Sequence, residues 1–186
     1  MNVCEKIYSV LCVLLVCSCG NSSVSVDDKV EGPPNPPSLE CDLSEFEPNN
    51  TFEEANFVGT LPMLGKNTLC GEFNNISVEM MDREFLYFFL NPPPRATEVF
   101  VTLIVETDAT LFPSIRLWQT VYNKFGEPTG QYTLLGIFFG KNGLLFVPDF
   151  PVPYSFLDNN DLFVQVEAPS PIPFSSHNYT LEYFTH

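Results

Sequence analysis

Three stretches of this chain alternate apolar and polar residues with a period of two, and that alternation limits the fold more than any other feature. Val99, Val101, Leu103 and Val105 are interleaved with Glu98, Thr102 and Glu106. Leu162, Val164 and Val166 alternate with Gln165 and Glu167, and Tyr179, Leu181 and Tyr183 with Thr180 and Glu182. Successive side chains of a strand point to opposite faces, so each stretch reads as a half-buried β-strand. Phe85-Leu86-Tyr87-Phe88-Phe89-Leu90 is apolar on both faces and suits a central strand covered on each side. Weaker strand signals lie at 114–119, 132–139 and 143–147. Between these runs stand Asn91-Pro92-Pro93-Pro94, Gly126-Glu127-Pro128-Thr129-Gly130 and the proline-rich segment 148–153. Such residues favour turns and block helices. A helical turn fits only residues 51–56, with Asn50 or Thr51 as its cap. Many short strands joined by turns predict an all-β fold, a single antiparallel β-sandwich of jelly-roll-like type.

The first eighteen residues stand apart from that pattern. Lys6 precedes an apolar run of signal-peptide length from Ile7 to Val16, too short to span a bilayer, which takes about 20 helical residues. The run ends in Val16-Cys17-Ser18-Cys19, which resembles a bacterial lipobox, with Cys19 as the residue that receives lipid. The other reading is plain secretion, with cleavage near Ser18 or Gly20. Gly20 is not the aspartate associated with inner-membrane retention in enterobacteria, so the lipobox reading implies an outer-membrane lipoprotein of the bacterial cell envelope. Residues 19–40 then form a tether, with Pro33-Pro34-Asn35-Pro36-Pro37 in polyproline II. Fully extended, it reaches at most roughly 70 Å. Once the leader is removed and Cys19 carries lipid, Cys41 and Cys70 are left as an even pair in an oxidising compartment. A disulfide between them would close a loop worth roughly 3 to 4 kcal/mol in the chain-entropy model. Two free thiols, or a metal pair lacking nearby His or Cys ligands, are the alternatives. Residues 41–186 are expected to form one domain.

Charge and motifs exclude several classes of function. A net charge of −15 argues against nucleic acid, whose phosphates need Lys and Arg. His177 and His186 are the two histidines, and no His-Glu-x-x-His zinc motif or phosphate-binding glycine loop occurs. His177 reads as a surface residue at the start of the last strand rather than as the base of a catalytic triad. The reading is therefore non-enzymatic.

The most distinctive stretch is Glu45-Phe46-Glu47-Pro48-Asn49-Asn50-Thr51-Phe52-Glu53-Glu54-Ala55-Asn56, with Asp82 and Glu84 reappearing just before the aromatic strand. Glu47-Pro48-Asn49-Asn50-Thr51 followed by Ala55-Asn56 resembles the opening motif of bacterial pre-peptidase C-terminal domains, to which collagenase collagen-binding domains are similar. Gly71-Glu72-Phe73, the acidic step Asp82-Arg83-Glu84 into Phe85, and the strands at 161–166 and 179–181 follow in the order of that family. The resemblance implies a secreted β-sandwich accessory module. It also implies calcium as a ligand, with Glu45, Glu47, Asn49, Asn50, Asp82 and Glu84 carried over as the candidate oxygen donors. Calcium takes six to eight such oxygens. Asn50 and Glu84 stand where the family often has aspartate, which predicts weaker affinity, and Leu157-Asp158-Asn159-Asn160 replaces a glycine-rich turn. The bland reading is a turn with solvated acids.

Phe112, Trp118, Tyr122, Phe125 and Tyr132 flank a Pro/Gly-rich hairpin, either as core packing or as a carbohydrate- or peptide-binding face. Trp118 is the candidate contact, because Ile115 and Leu117 lie on the opposite face of its strand. Together these readings predict a surface-anchored binding or accessory module, held to the membrane by an N-terminal lipid, for adhesion to an extracellular protein or polysaccharide. The alternative is a structural subunit of an envelope complex with no ligand of its own.

Overall fold

The computed structural model describes residues 41–63, 65–75, 82–155, 160–169 and 175–185. The signal-like run, the lipobox with Cys19, the tether and most of the 157–160 turn lie outside the described residues. Ten strands form two five-stranded sheets, and no helix occurs among the described residues. One sheet contains β1 (Leu43–Ser44), β3 (Asn67–Asn75), β10 (Ser175–Thr185), β5 (Glu98–Thr107) and β8 (Leu144–Pro153), in that spatial order. The other contains β2 (Asn56–Leu61), β4 (Glu84–Leu90), β9 (Asp161–Glu167), β6 (Ser114–Tyr122) and β7 (Pro128–Phe139), also in that order.

The core lies between the sheets and is built from the alternating residues. Val99, Val101, Leu103 and Val105 of β5 are buried, as are Leu162, Val164 and Val166 of β9 and Tyr179, Leu181 and Tyr183 of β10. Leu86, Phe88 and Leu90 of β4 and Ile115 and Leu117 of β6 complete the inner face of the second sheet. Each fully buried side chain of this size contributes about 1.5–3 kcal/mol. Phe88 meets Tyr183 edge-on across the interface, ring centroids 5.0 Å apart. Cys41 and Cys70 are joined in a disulfide, Cα atoms 5.8 Å apart, fixing the chain just before β1 to β3.

Several features differ from the sequence expectations; β9, expected to be half-buried, is buried on both faces. The sandwich is not wholly antiparallel: β1–β3 and β2–β4 are parallel pairs, one at an edge of each sheet. Pro148, Pro151 and Pro153 lie within β8 rather than in a turn. That strand forms the edge of its sheet, where a missing N–H breaks no ladder bond. Pro128 likewise opens β7, at another edge. Residues 51–55 form a turn, closed by Glu54 N–H to Thr51 C=O at 3.3 Å, and Asn56 already starts β2. The Thr51 hydroxyl donates to Glu54 Oε2 instead of capping a helix.

That turn carries Phe52 over the outer face of the second sheet. Its ring stacks on Tyr132 at 3.7 Å and meets Phe85, Trp118 and Phe163 at centroid distances of 4.7, 5.6 and 5.5 Å. This explains how Phe85 and Phe163, pointing away from the core, are nevertheless buried. The outward side of β4 is covered only in part, since Tyr87 is half-buried and Phe89 is exposed.

Candidate metal centre

The acidic residues gather at one end of the sandwich, where the chain passes from the first sheet to the second. Glu45 follows β1, and its N–H donates to the Cys70 carbonyl of β3 at 3.0 Å. Its carboxylate accepts from Glu72 N–H, from the Tyr179 hydroxyl at 2.7 Å and from Asn49 Nδ2 at 3.4 Å. An ideal Cβ on Gly71 would fall 2.3 Å from the Glu45 carboxyl carbon and 2.4 Å from the Tyr179 ring. Glycine is therefore required at position 71 because the carboxylate occupies the space above it.

Asn49 is fully buried, and its carbonyl accepts from Phe85 N–H at 2.9 Å, tying the loop to β4. Asn49 N–H donates to Glu47 Oε2 at 3.2 Å. The Asn49 Oδ1 atom is buried with no hydrogen-bond partner. Glu84, the first residue of β4, is fully buried, and neither of its carboxylate oxygens has a donor. One oxygen from each of Glu45, Glu47 and Glu84 lies within 4.8 Å of the others.

A buried carboxylate without a donor is costly, and its anionic form more so. Burial first, then the charges of Glu45 and Asp82 and a hydrogen bond shared with Glu45, push the Glu84 carboxyl up to about 10, so that in the absence of a cation it keeps a proton directed at Glu45. Glu47 is also raised, by burial and then by Asp82 and Glu45. Burial and the nearby Glu45 raise the Tyr179 hydroxyl well above its ordinary value, so it remains a donor to Glu45.

Of the six candidate ligands, the carboxylates of Glu45, Glu47 and Glu84 converge, and Asn49 donates hydrogen bonds to the first two. The other two are engaged with each other. Asn50, with its amide nitrogen turned toward Asp82, donates to Asp82 Oδ1 at 2.6 Å and to the Arg83 carbonyl at 3.2 Å. Asp82 also accepts from Asn74 N–H at 2.6 Å and Arg83 N–H at 3.1 Å. Its role at this end is to cap the β3 edge and add negative charge behind Glu84. Sequence reasoning missed Tyr179, which reaches Glu45 from 134 positions away, a separation that no local pattern reveals.

The three carboxylates within 4.8 Å of one another offer oxygen ligands of the kind a divalent cation such as calcium takes. Such a cation would supply the counter-charge that Glu84 lacks. Glu84 and Glu47 with Glu45 would supply the anionic oxygens.

Other candidates take different places. Trp118 is half-buried on the outer face of its sheet, with Ile115 and Leu117 inward, and its indole N–H donates to Gln165 Oε1 at 3.2 Å. Phe112 and Phe125 are exposed, whereas Tyr122 donates to Asn160 Oδ1 at 2.9 Å and Asp161 Oδ2 at 3.1 Å. His177 lies inside β10 opposite Phe73, with Nδ1 3.9 Å from Asp108 Oδ2.

No protein-family model matches the chain, and no curated protein matches it. Among solved structures, the crystal structure of Yersinia pseudotuberculosis-derived mitogen is similar at a TM-score of 0.37 and 11% identity. The match covers 67% of this chain and 88% of that one. A likeness of that size carries no argument about this chain.

Proposed function

We propose that the protein is a non-catalytic binding or accessory module of the pre-peptidase C-terminal type, stapled at one end by calcium. One observation carries the calcium reading: Glu84 is buried with no donor to either oxygen, facing Glu45 and Glu47. Glu45 is bonded to β3 and β10 of one sheet, and Glu84 begins β4 of the other. A cation shared by them joins the two sheets where β1 offers only two residues of pairing. Its work is mechanical, holding a domain together outside the cell.

In this reading the N-terminal lipid on Cys19 anchors the module to the outer membrane and the Pro-rich tether lifts it off the surface. The partner is an extracellular protein or polysaccharide. The outer aromatic face of Phe57, Tyr87, Tyr132 and Trp118 is where such a partner would stack. Phe57 is exposed there, and Trp118 is the single tryptophan of the chain. Its fluorescence therefore reports directly on anything that displaces Phe52 or covers the ring.

The test is a thermal melt of the full chain in EDTA and in millimolar calcium, for wild type and Glu84→Gln. The expected result is a higher melting temperature in calcium for wild type and no shift for Glu84→Gln. Equal melts for wild type would discard the calcium reading and leave the acids as a turn. Titration of the calcium-loaded chain with polysaccharides and matrix proteins, followed by Trp118 emission, tests the adhesive role. A stable co-purifying envelope protein with no spectral response would favour the structural-subunit alternative.

A further inference from the structure

The four sheet edges are treated differently. Beyond the two residues of β1, the edge N–H groups of Glu72 and Asn74 on β3 are capped by the carboxylates of Glu45 and Asp82. The β8 edge holds three prolines and Asp149, whose φ is 41°. The β2 edge is six residues long, is interrupted by a bulge between Phe57 and Gly59, and ends at Pro62. Short length, prolines, bulges and charges are the usual means of preventing edge-to-edge pairing. After Pro128, β7 has eleven further residues with no proline and no charge. Its irregularities are register shifts against β6, one of them at Leu135, and residues 136–139 pair regularly with 117–114.

This last segment presents a self-complementary edge. Gly140 N–H donates to the Pro113 carbonyl on the β6 side at 2.7 Å. Backbone groups alternate along a strand, so Phe138 and Gly136 face β6, while the N–H and C=O of Ile137 and Phe139 face an edge that no strand pairs with among the described residues. The side chains of Ile137 and Phe139 are also exposed, at 43% and 77%, and Phe138 turns inward against the core. In an antiparallel pair, directly opposed residues share a face. Two copies of this edge related by a twofold axis at Phe138 place Ile137 opposite Phe139 twice, with matching faces and four backbone hydrogen bonds. Exposed Phe112, Leu144 and Phe146 near the same end of β7 add apolar surface. A chain of net charge −15 repels its own copies, and this uncharged strand is where two copies approach without opposing carboxylates.

We infer that the protein self-associates as a twofold dimer through β7, residues 136–139 pairing antiparallel to make one continuous ten-stranded sheet. Such an interface is isologous, the same patch on both subunits.

The test uses the full chain in a non-ionic detergent, combining sedimentation with residue-resolved amide exchange. The expected result is a concentration-dependent dimer in which the Ile137 and Phe139 amides become protected as the dimer forms. Phe139→Asp should raise the dissociation midpoint by at least about tenfold, whereas Phe125→Asp, the same change at an exposed hairpin tip, should leave it unaltered. A wild-type chain that stays monomeric at every concentration overturns the inference. So does a dimer that survives Phe139→Asp, because its interface then lies elsewhere. If Phe139→Asp does not fold, the wild-type exchange data decide: unprotected Ile137 and Phe139 amides in the dimer overturn the proposal.

Discussion

Glu84 and Glu167 sit on paired strands of one sheet, Glu84 opposite Val166, and both are buried. Glu167 is surrounded by donors: Arg116 bonds Oε1, Arg83 Nε lies 3.5 Å from Oε2, Ser114 Oγ donates to Oε1 at 3.1 Å and Gln165 Nε2 to Oε2 at 3.5 Å. Glu84 has no donor and two further carboxylates for neighbours. The same residue type, equally far from water, is thus self-sufficient in one place and incomplete in the other. A buried anion whose partners are all internal serves the fold. A buried carboxyl that faces other carboxylates is held protonated unless a cation balances the charge.

The largest effect expected from breaking this contrast is at Glu167. Arg116→Ala leaves a buried carboxylate short of its main counter-charge and should cost about 3 kcal/mol in a urea or thermal melt. No calcium concentration should restore it. The next is the gain at Glu84. At about a hundredfold excess over its dissociation constant, calcium should stabilise wild type by about 2.7 kcal/mol, a rise of roughly 5–10 °C in melting temperature. An equal rise in Glu84→Gln would sink the assignment of Glu84 as a ligand.

The pH dependence sharpens the comparison further. Without a cation, the folded-state value of Glu84 stands at about 10, against an ordinary 4.5. The folded state then holds a proton that the unfolded chain releases. Stability should be full below pH 4.5 and decline as pH rises toward about 10. Melts in EDTA across this window should show the decline, and calcium should flatten it by replacing the proton. Glu84→Gln in EDTA removes the burden and should stabilise by about 1–2 kcal/mol near neutral pH. The smallest change is Ser114→Ala, which takes one of several donors from Glu167 and should cost about 1 kcal/mol. A much larger loss would mean that the Glu167 network is less redundant than its geometry implies.

Much of the fold is legible in the sequence. β5, β9 and β10 follow from alternation at 98–106, 162–167 and 179–183; the alternation gives the inward face of each, but the polar face of β9 is buried as well, beneath Phe52 and the Glu167 network. The grouping of Glu45, Glu47 and Glu84 is suggested in the sequence only by the resemblance to the pre-peptidase C-terminal motif, since nothing in the local pattern brings residues 45 and 84 together. The motif did not separate these three from Asn50 and Asp82, whose mutual hydrogen bond depends on how the loops before β2 and β4 meet. The local sequence around Phe52 suits a helical turn. The actual role of Phe52, covering Phe85, Trp118 and Phe163, depends on which strands lie side by side beneath it.

By itself the sequence determined the class of fold, an all-β sandwich, because period-two burial is a property of each strand taken alone. It also supplied an unusual surplus of acid and a pair of cysteines close enough in the chain to close a loop. Tertiary structure decided what those residues do. Sheet order made the prolines of β8 harmless, because an edge strand has an N–H side that needs no partner. Burial turned Glu84 from one acid among many into a carboxyl that keeps its proton beside other carboxylates, because desolvation depends on everything packed around a group. The open edge at Ile137 and Phe139 exists for the same reason: a strand is an edge only by virtue of the neighbours it lacks.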